Sequence, residues 1–338
     1  MDVAVVRLAD KAIIFPDTKP REIAVQVTAL DANTKGAVKL ILPKGWTVAP
    51  ASRDFSLSQT QQETLKFQVT PPATEQTAAF KAEVTVNGKT YGLTLTTVEY
   101  PHIPPQTVFT PAEAKLVRAN INITSKNIGY IMGSGDEIPR ALEQLGCTVT
   151  LLTKEALAQD DLSKYHAIVT GVRAFNTRAD VRANARRLHE YAHNGGTLIV
   201  QYNVMEGGFF GGDPKLLENL GPYPITLGNG RVTVEEAPVE FASPHAVMSK
   251  PNQITNRDFE GWVQERGLYF ASAWDPKYET LFQMHDPGEA QLKGGTLFAK
   301  YGKGVYIFTP LSWFRQLPAG VPGAYRIFAN FLSAGKPQ

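Results

Sequence analysis

Over the first hundred residues, hydrophobic positions recur with a period of two. Ile23, Val25 and Val27 alternate with Ala24, Gln26 and Thr28; Val38, Leu40 and Leu42 recur in the same way, as do Leu65, Phe67 and Val69. This pattern predicts strands with one buried face and one wetted face. Residues 80–86 and 91–95 flank Asn87-Gly88, a pair that accepts the positive φ of a tight hairpin turn. No segment here carries a helical period. Short strands bounded by Pro, Gly and Asn/Asp clusters predict an all-β sandwich of immunoglobulin type over residues 1–100.

The pattern then changes twice. Pro101, Pro104, Pro105 and Pro111 crowd the next stretch, so residues 101–126 read as a proline-rich linker and extended segment. From 127 to 338, strand-like and helix-like segments alternate. Apolar runs at 128–132, 148–152, 167–172 and 197–202 read as buried strands. A helix over 137–145 stops at Gly146, and a second over 178–193 lines up Val181, Ala185, Leu188 and Ala192 on one face. This predicts an α/β domain with an open, mostly parallel sheet covered on both sides. After residue 205 the pattern is irregular and glycine-rich. It recovers in a strand, a turn at Gly302-Lys303-Gly304 and a second strand. A closing helix follows, with Tyr325, Phe328 and Leu332 at helical spacing.

Composition narrows the function classes. The 338 residues carry a formal net charge of +2, which favours neither nucleic acid nor an anionic membrane surface. No apolar run approaches the roughly 20 residues of a membrane span. The single cysteine, Cys147, excludes an intramolecular disulfide. The opening "MDVAVVRLADKAIIFP" has no basic-then-apolar leader, so no signal peptide is expected within it.

Candidate chemistry gathers where strands end. The string "YIMGSGDEIP" sets a strand against a glycine turn and a helix, like a phosphate-binding loop. Ile138 stands where the dinucleotide fingerprint needs a glycine, and Asp136 can itself accept the first helix amides. A cap and turn is therefore expected, with Ser134 and Asp136 at its edge. "HEYAH" matches the His-Glu-x-x-His zinc motif, but His189 and His193 continue the face of Arg182 and Arg186, opposite the apolar stripe. A solvent face is expected, and no metal site. At the carboxyl ends of the strands, Ser134 and Asp136 would meet Arg173, Asn176, Gln201, Asn203, Arg315 and Gln316, with Glu265 and Arg266 folding over them. Two readings stay open there. One is an ion-pair network, such as Arg173 or Arg315 with Glu265. The other is a small polar pocket for a sugar, with Trp262, Tyr269 or Trp313 as stacking surface.

The strings "IPPQTVFTPAEAKLVR", "GYIMGSGDEIPRALEQLG", "GVRAFNTR", "GGTLIVQYN", "GWVQERGLYF" and "FRQLPAGVPGAYRIFANFLS" resemble the C-terminal region of large bacterial PIG-L (LmbE-like) family deacetylases. The likeness is close from about Tyr100 onward and looser before it. It implies an Ig-like domain followed by a class I glutamine amidotransferase-like, flavodoxin-like domain, which in those proteins come after a zinc-dependent N-acetylglucosaminyl deacetylase domain. The deacetylase His-Pro-Asp-Asp-Glu string is absent from this chain. The amidotransferase triad is expected to be absent too: Cys147 enters a strand rather than leaving one, and no His follows the last strand in "TPLSWFRQ". The resemblance thus implies a non-catalytic accessory region with no cofactor, for carbohydrate recognition or for positioning a deacetylase domain in cis or trans. It also implies an extracytoplasmic location. The alternatives are a hydrolase using Asp136 and Glu265, or zinc on His189 and His193, and an oligomerisation module.

Overall fold

The computed structural model describes residues 3–205 and 214–335. It is β-rich, with 42% strand against 18% helix in several sheets. The chain divides into two compact units, Met1–Asn120 and Ile121–Gln338.

In the first unit, Ala4–Leu8, Arg21–Ala29, Gln62–Thr70 and Thr47–Ala49 form one antiparallel sheet in that spatial order. Ala12–Phe15, Glu113–Arg118, Gln76–Val86, Thr34–Ile41 and Arg53–Leu57 form a second. The alternating apolar residues make one core between them: Ile23, Val25, Val27 and Phe67 meet Val38, Leu40, Phe80 and Val84. Asn87 and Gly88 take φ values of 51° and 76° and turn the chain from Gln76–Val86 into Lys89–Tyr91.

The stretch expected to be a linker from residue 101 is paired instead. Leu93–Tyr100 and Ile103–Pro111 form a two-stranded hairpin of their own. Its second strand pairs along one edge only, where proline's missing N–H is tolerated. The register shifts between Val98 and Tyr100, opposite the Pro104-Pro105 pair. The chain then re-enters the second sheet as Glu113–Arg118, antiparallel to Gln76–Val86 and parallel to Ala12–Phe15. The boundary between the units therefore falls after Asn120.

In the second unit, Thr148–Leu151, Asn127–Ile131, Ala167–Thr170, Thr197–Gln201 and Gly304–Thr309 lie side by side and parallel. Leu297–Tyr301 and Glu279–Thr280 extend the sheet antiparallel. The late strand, turn and strand are as the pattern predicts. Ile131, Ile168, Leu198, Val200 and Phe308 share a core with Val181, Ala185, Leu188 and Ala192, the predicted helical stripe. The helix itself is broken: Ala179–Ala183 and Ala185–His193 are separated at Asn184, whose side-chain amide donates to the Asp180 carbonyl at 2.8 Å. The closing helix, Pro322–Leu332, is buried over most of its length. Of the glycine-rich loop expected after residue 205, residues 206–213 lie outside the described residues.

Two features position the candidate site. The chain leaves Asn127–Ile131 toward one sheet edge and returns through Ala167–Thr170 toward the other, so a topological switch point lies between these strands. A long excursion separates Thr197–Gln201 from Gly304–Thr309. Within it, Gly267–Trp274 pairs with Ile225–Val232 and places Gln264 to Tyr269 beside the strand ends.

Candidate functional site

The switch-point crevice holds a carboxylate of the protein itself. Asp136 Oδ1 accepts from the Tyr130 hydroxyl at 2.6 Å and from the Ile138 amide at 3.1 Å, and Oδ2 accepts from the Val172 amide at 3.1 Å. One side chain thus ties the end of the first parallel strand, the start of the helix Ile138–Gln144 and the loop after the third strand. Burial, and then the adjacent Asp136 charge, push the Tyr130 hydroxyl well above the usual phenol range. Gln201 donates to the Tyr130 oxygen at 3.3 Å and to the Thr170 carbonyl at 3.2 Å. The glycines follow from close packing. A Cβ on Gly133 would sit 2.1 Å from the Val172 carbonyl oxygen, and one on Gly171 2.8 Å from Asp136 Oδ2. An anionic group arriving here would meet a carboxylate that already holds the Ile138 and Val172 amides.

A second cluster lies at the ends of the fourth and fifth parallel strands. Tyr202 stands edge-on to Tyr269, with ring centroids 5.7 Å apart, and to Phe314, at 5.4 Å. Arg315 lies over Phe314 at 5.0 Å, donates through Nε to Glu265 at 3.1 Å and bonds Gln264 through Nη1. Ser312 donates to the same Glu265 oxygen at 3.1 Å. The expected ion pair is therefore Arg315 with Glu265. Arg173 stands apart from it: its backbone amide donates to the Tyr202 carbonyl at 2.7 Å, and its side chain is exposed. Burial first, then Tyr269 and Glu265, push the Tyr202 hydroxyl up to about 12.

Other residues expected on this rim face inward. Arg266 is buried and donates to the Phe259 carbonyl at 2.5 Å and the Ala237 carbonyl at 2.9 Å. Its guanidinium also lies over the rings of Phe259 and Trp262, and burial lowers it to about 10. Gln316 clamps the loop before Gly267–Trp274: it accepts from the Val263 amide and donates to the Val263 and Glu265 carbonyls. Asn176 pairs with both backbone groups of Val204, while Asn203 bridges the Phe175 amide and the Gln201 carbonyl. These asparagines brace the loops rather than present themselves. Trp262 and Trp313 are buried against each other at 5.3 Å, so neither offers a stacking face; Tyr269 is partly exposed. Ser134 is exposed, and its amide donates to the Val172 carbonyl.

The sequence pattern did not single out Tyr130, Tyr202, Phe314 or Gln264. Tyr202 and Phe314 directly follow a strand end and a tryptophan, but nothing in their spacing marks them as a cluster. Reading His189 as solvent-facing is corrected: it packs edge-on to Tyr306 at 6.2 Å, and burial lowers its imidazole to about 4. It lies four residues after Ala185, on the margin of the apolar stripe. His193 is exposed at the helix end, 5.2 Å from the Tyr301 ring. Among the described residues no group of three metal-ligating side chains gathers, and no helix is long and apolar enough to cross a membrane. Cys147 is buried at the entrance of Thr148–Leu151, and burial raises its thiol to about 11.

A cavity of about 510 Å³ opens at the other ends of the strands. Several of its polar groups are engaged: Arg187 bonds the Leu157 and Asp160 carbonyls, Glu190 pairs with Arg186, and His166 Nδ1 accepts the Lys126 amide.

No family model and no curated protein matches the chain. Among solved structures, a ThuA-like protein from Bacteroides uniformis is similar at 13% identity over 64% of this chain and 95% of its own, with a TM-score of 0.38. A β-galactosidase from Rahnella sp. R3 is similar at 12% identity over 60% of this chain, with a TM-score of 0.35, and native alpha-2-macroglobulin from E. coli at 11% over 35%, with a TM-score of 0.24. The chain spans only 31% of that β-galactosidase and 7% of that macroglobulin. At these scores the likenesses carry no argument about function.

Proposed function

We propose that this chain is the accessory, non-deacetylase region of a PIG-L-like deacetylase, an Ig-like domain followed by an amidotransferase-like domain without its triad. Its role is to recognise a carbohydrate or glycoconjugate, or to position the catalytic domain on one. The carrying observation is the engagement of the two rim carboxylates. Asp136 takes three donors from its own crevice, and Glu265 takes Arg315 and Ser312. A hydrolytic general acid or base needs a carboxyl within reach of substrate and free to exchange a proton, and both groups are instead used to hold loops. The buried Cys147 thiol, at the wrong end of its strand for a nucleophile elbow, supports the same reading.

The finer fold assignment rests on strand order. In the first unit, one sheet runs as first, third, seventh and fifth strand, and the first strand segment is split so that its second half pairs parallel with the last strand of the other sheet. This arrangement supports the Ig-like reading. In the second unit the parallel strands run 2-1-3-4-5, the order that supports a flavodoxin-like sheet.

The test is to screen the purified chain on a glycan array and by calorimetry, and to measure its affinity for a separately expressed PIG-L-type deacetylase domain. The reading expects saccharide binding or domain capture with no turnover. Absence of both sinks it. Glycan hydrolysis lost in Asp136→Asn or Glu265→Gln would replace it with the hydrolase reading.

A further inference from the structure

Backbone strain in the second unit is concentrated on one surface. Among its described residues, three that are not glycine hold a positive φ: Arg173 at 58°, Gln264 at 67° and Tyr269 at 58°. They come from two distant parts of the chain and meet around Tyr202. Arg173 is fixed by its amide bond to the Tyr202 carbonyl, Tyr269 by ring contact with Tyr202, and Gln264 by its bond to Arg315 beside Phe314. Left-handed backbone is unfavourable for a side chain with a Cβ, so each such residue is held there by its surroundings.

The charge of the patch is set by what is paired. Glu265 is matched by Arg315, which leaves Arg173 as an exposed guanidinium with no hydrogen bond or ion pair among the described residues. Beside it stand the partly exposed rings of Tyr202, Tyr269 and Phe314. We infer that this patch binds a carboxylate-bearing sugar, a hexuronic acid residue of an oligosaccharide, with its carboxylate on Arg173 and its C–H face against Tyr202 and Tyr269. The inference rests on the carbohydrate-recognition reading above and names the sugar class.

The choice of class follows from the groups present. A planar guanidinium matches a carboxylate with two parallel hydrogen bonds. Phenol rings offer an apolar face together with a hydroxyl, which suits the alternating C–H and O–H surface of a pyranose. An amino acid would need a free carboxylate for its ammonium group, and Glu265 is already taken. Among the described residues of the patch, a phosphate dianion would find Arg173 as its one unpaired cation.

Calorimetry on the whole chain tests this with galacturonate, glucuronate and mannuronate oligosaccharides, each beside its methyl ester, which has neither the charge nor the paired carboxylate oxygens that a guanidinium binds. At least one acid is expected to bind ten-fold or more tightly than its ester. Arg173→Gly relieves the strained φ while removing the guanidinium; it should keep the melting temperature and lose that ten-fold preference, with Arg173→Lys in between. Equal binding of acid and ester, or undiminished binding by Arg173→Gly, overturns the inference but leaves carbohydrate recognition standing. If no saccharide binds while the deacetylase domain is captured, the inference fails and the accessory reading survives as a positioning role. If neither binds, both fail.

Discussion

The Tyr130 hydroxyl lies 2.6 Å from Asp136 Oδ1, and the other oxygen of that carboxylate receives the Val172 amide at 3.1 Å. Through this pair, the end of the first parallel strand is fastened to the loop that leaves the third, across the crevice where an open α/β sheet ordinarily takes its ligand.

The pair should act as a coupled unit. Tyr130→Phe is expected to cost about 1–2 kcal/mol and Asp136→Asn about 2–3 kcal/mol, because the asparagine leaves buried donors poorly matched. The double variant should cost less than the sum by about 1–2 kcal/mol. Urea unfolding followed by tryptophan fluorescence reads this directly, since Trp262, Trp274 and Trp313 all lie in the second unit. Strictly additive losses would show that the two residues do not share the bond.

His189 should make the second unit sensitive to mild acid. Burial holds its imidazole at about 4 in the folded chain, against an ordinary value near 6.5. The unfolded chain therefore binds a proton first. The contribution is complete above about pH 6.5, declines as pH falls from there toward 4, and levels off below, for a total of about 3 kcal/mol. Denaturation curves between pH 4 and 8 should be flatter by that amount in His189→Gln. An unchanged slope would mean that the imidazole charges freely in the fold.

Cys147 should be nearly inert while the chain is folded. Its thiol is buried, sits 3.6 Å from the Ser125 carbonyl and is raised from 9.0 to about 11, which alone lowers the thiolate fraction roughly a hundredfold at pH 8. Disulfide-exchange labelling in buffer and in urea compares the two states. Prompt stoichiometric labelling of the native protein would contradict the burial.

Much of this architecture could be read from the hydrophobic pattern, because period two and period 3.6 both survive in the packed core. Ile23, Val25 and Val27 are buried as one strand face, and Val181, Ala185, Leu188 and Ala192 stay on one stripe despite the break at Asn184. The loops were less legible, since side-chain direction there depends on tertiary packing and not on spacing. Arg266 and Arg315 both looked like rim cations. One is buried over Trp262 and the other lies on the surface with Glu265. Proline content suggested a linker at 101–126, yet an edge strand with one open side can carry prolines, and Glu113–Arg118 belongs to the sheet. Arg173 was legible as a rim residue, but its left-handed backbone was not, because only glycine announces that conformation in a sequence.

The parallel pairing of Ala12–Phe15 with Glu113–Arg118 has a mechanical consequence. These segments lie near the two ends of the first unit, and they run in the same direction. Tension applied between those ends pulls the two strands past each other along their length. The pairs from Ala12 with Lys115 to Phe15 with Arg118 then bear the force together, in shear, where a terminal antiparallel hairpin would peel open one pair at a time. Once Ala4–Leu8 has come free, this parallel seam should resist the pull more than a terminal hairpin would.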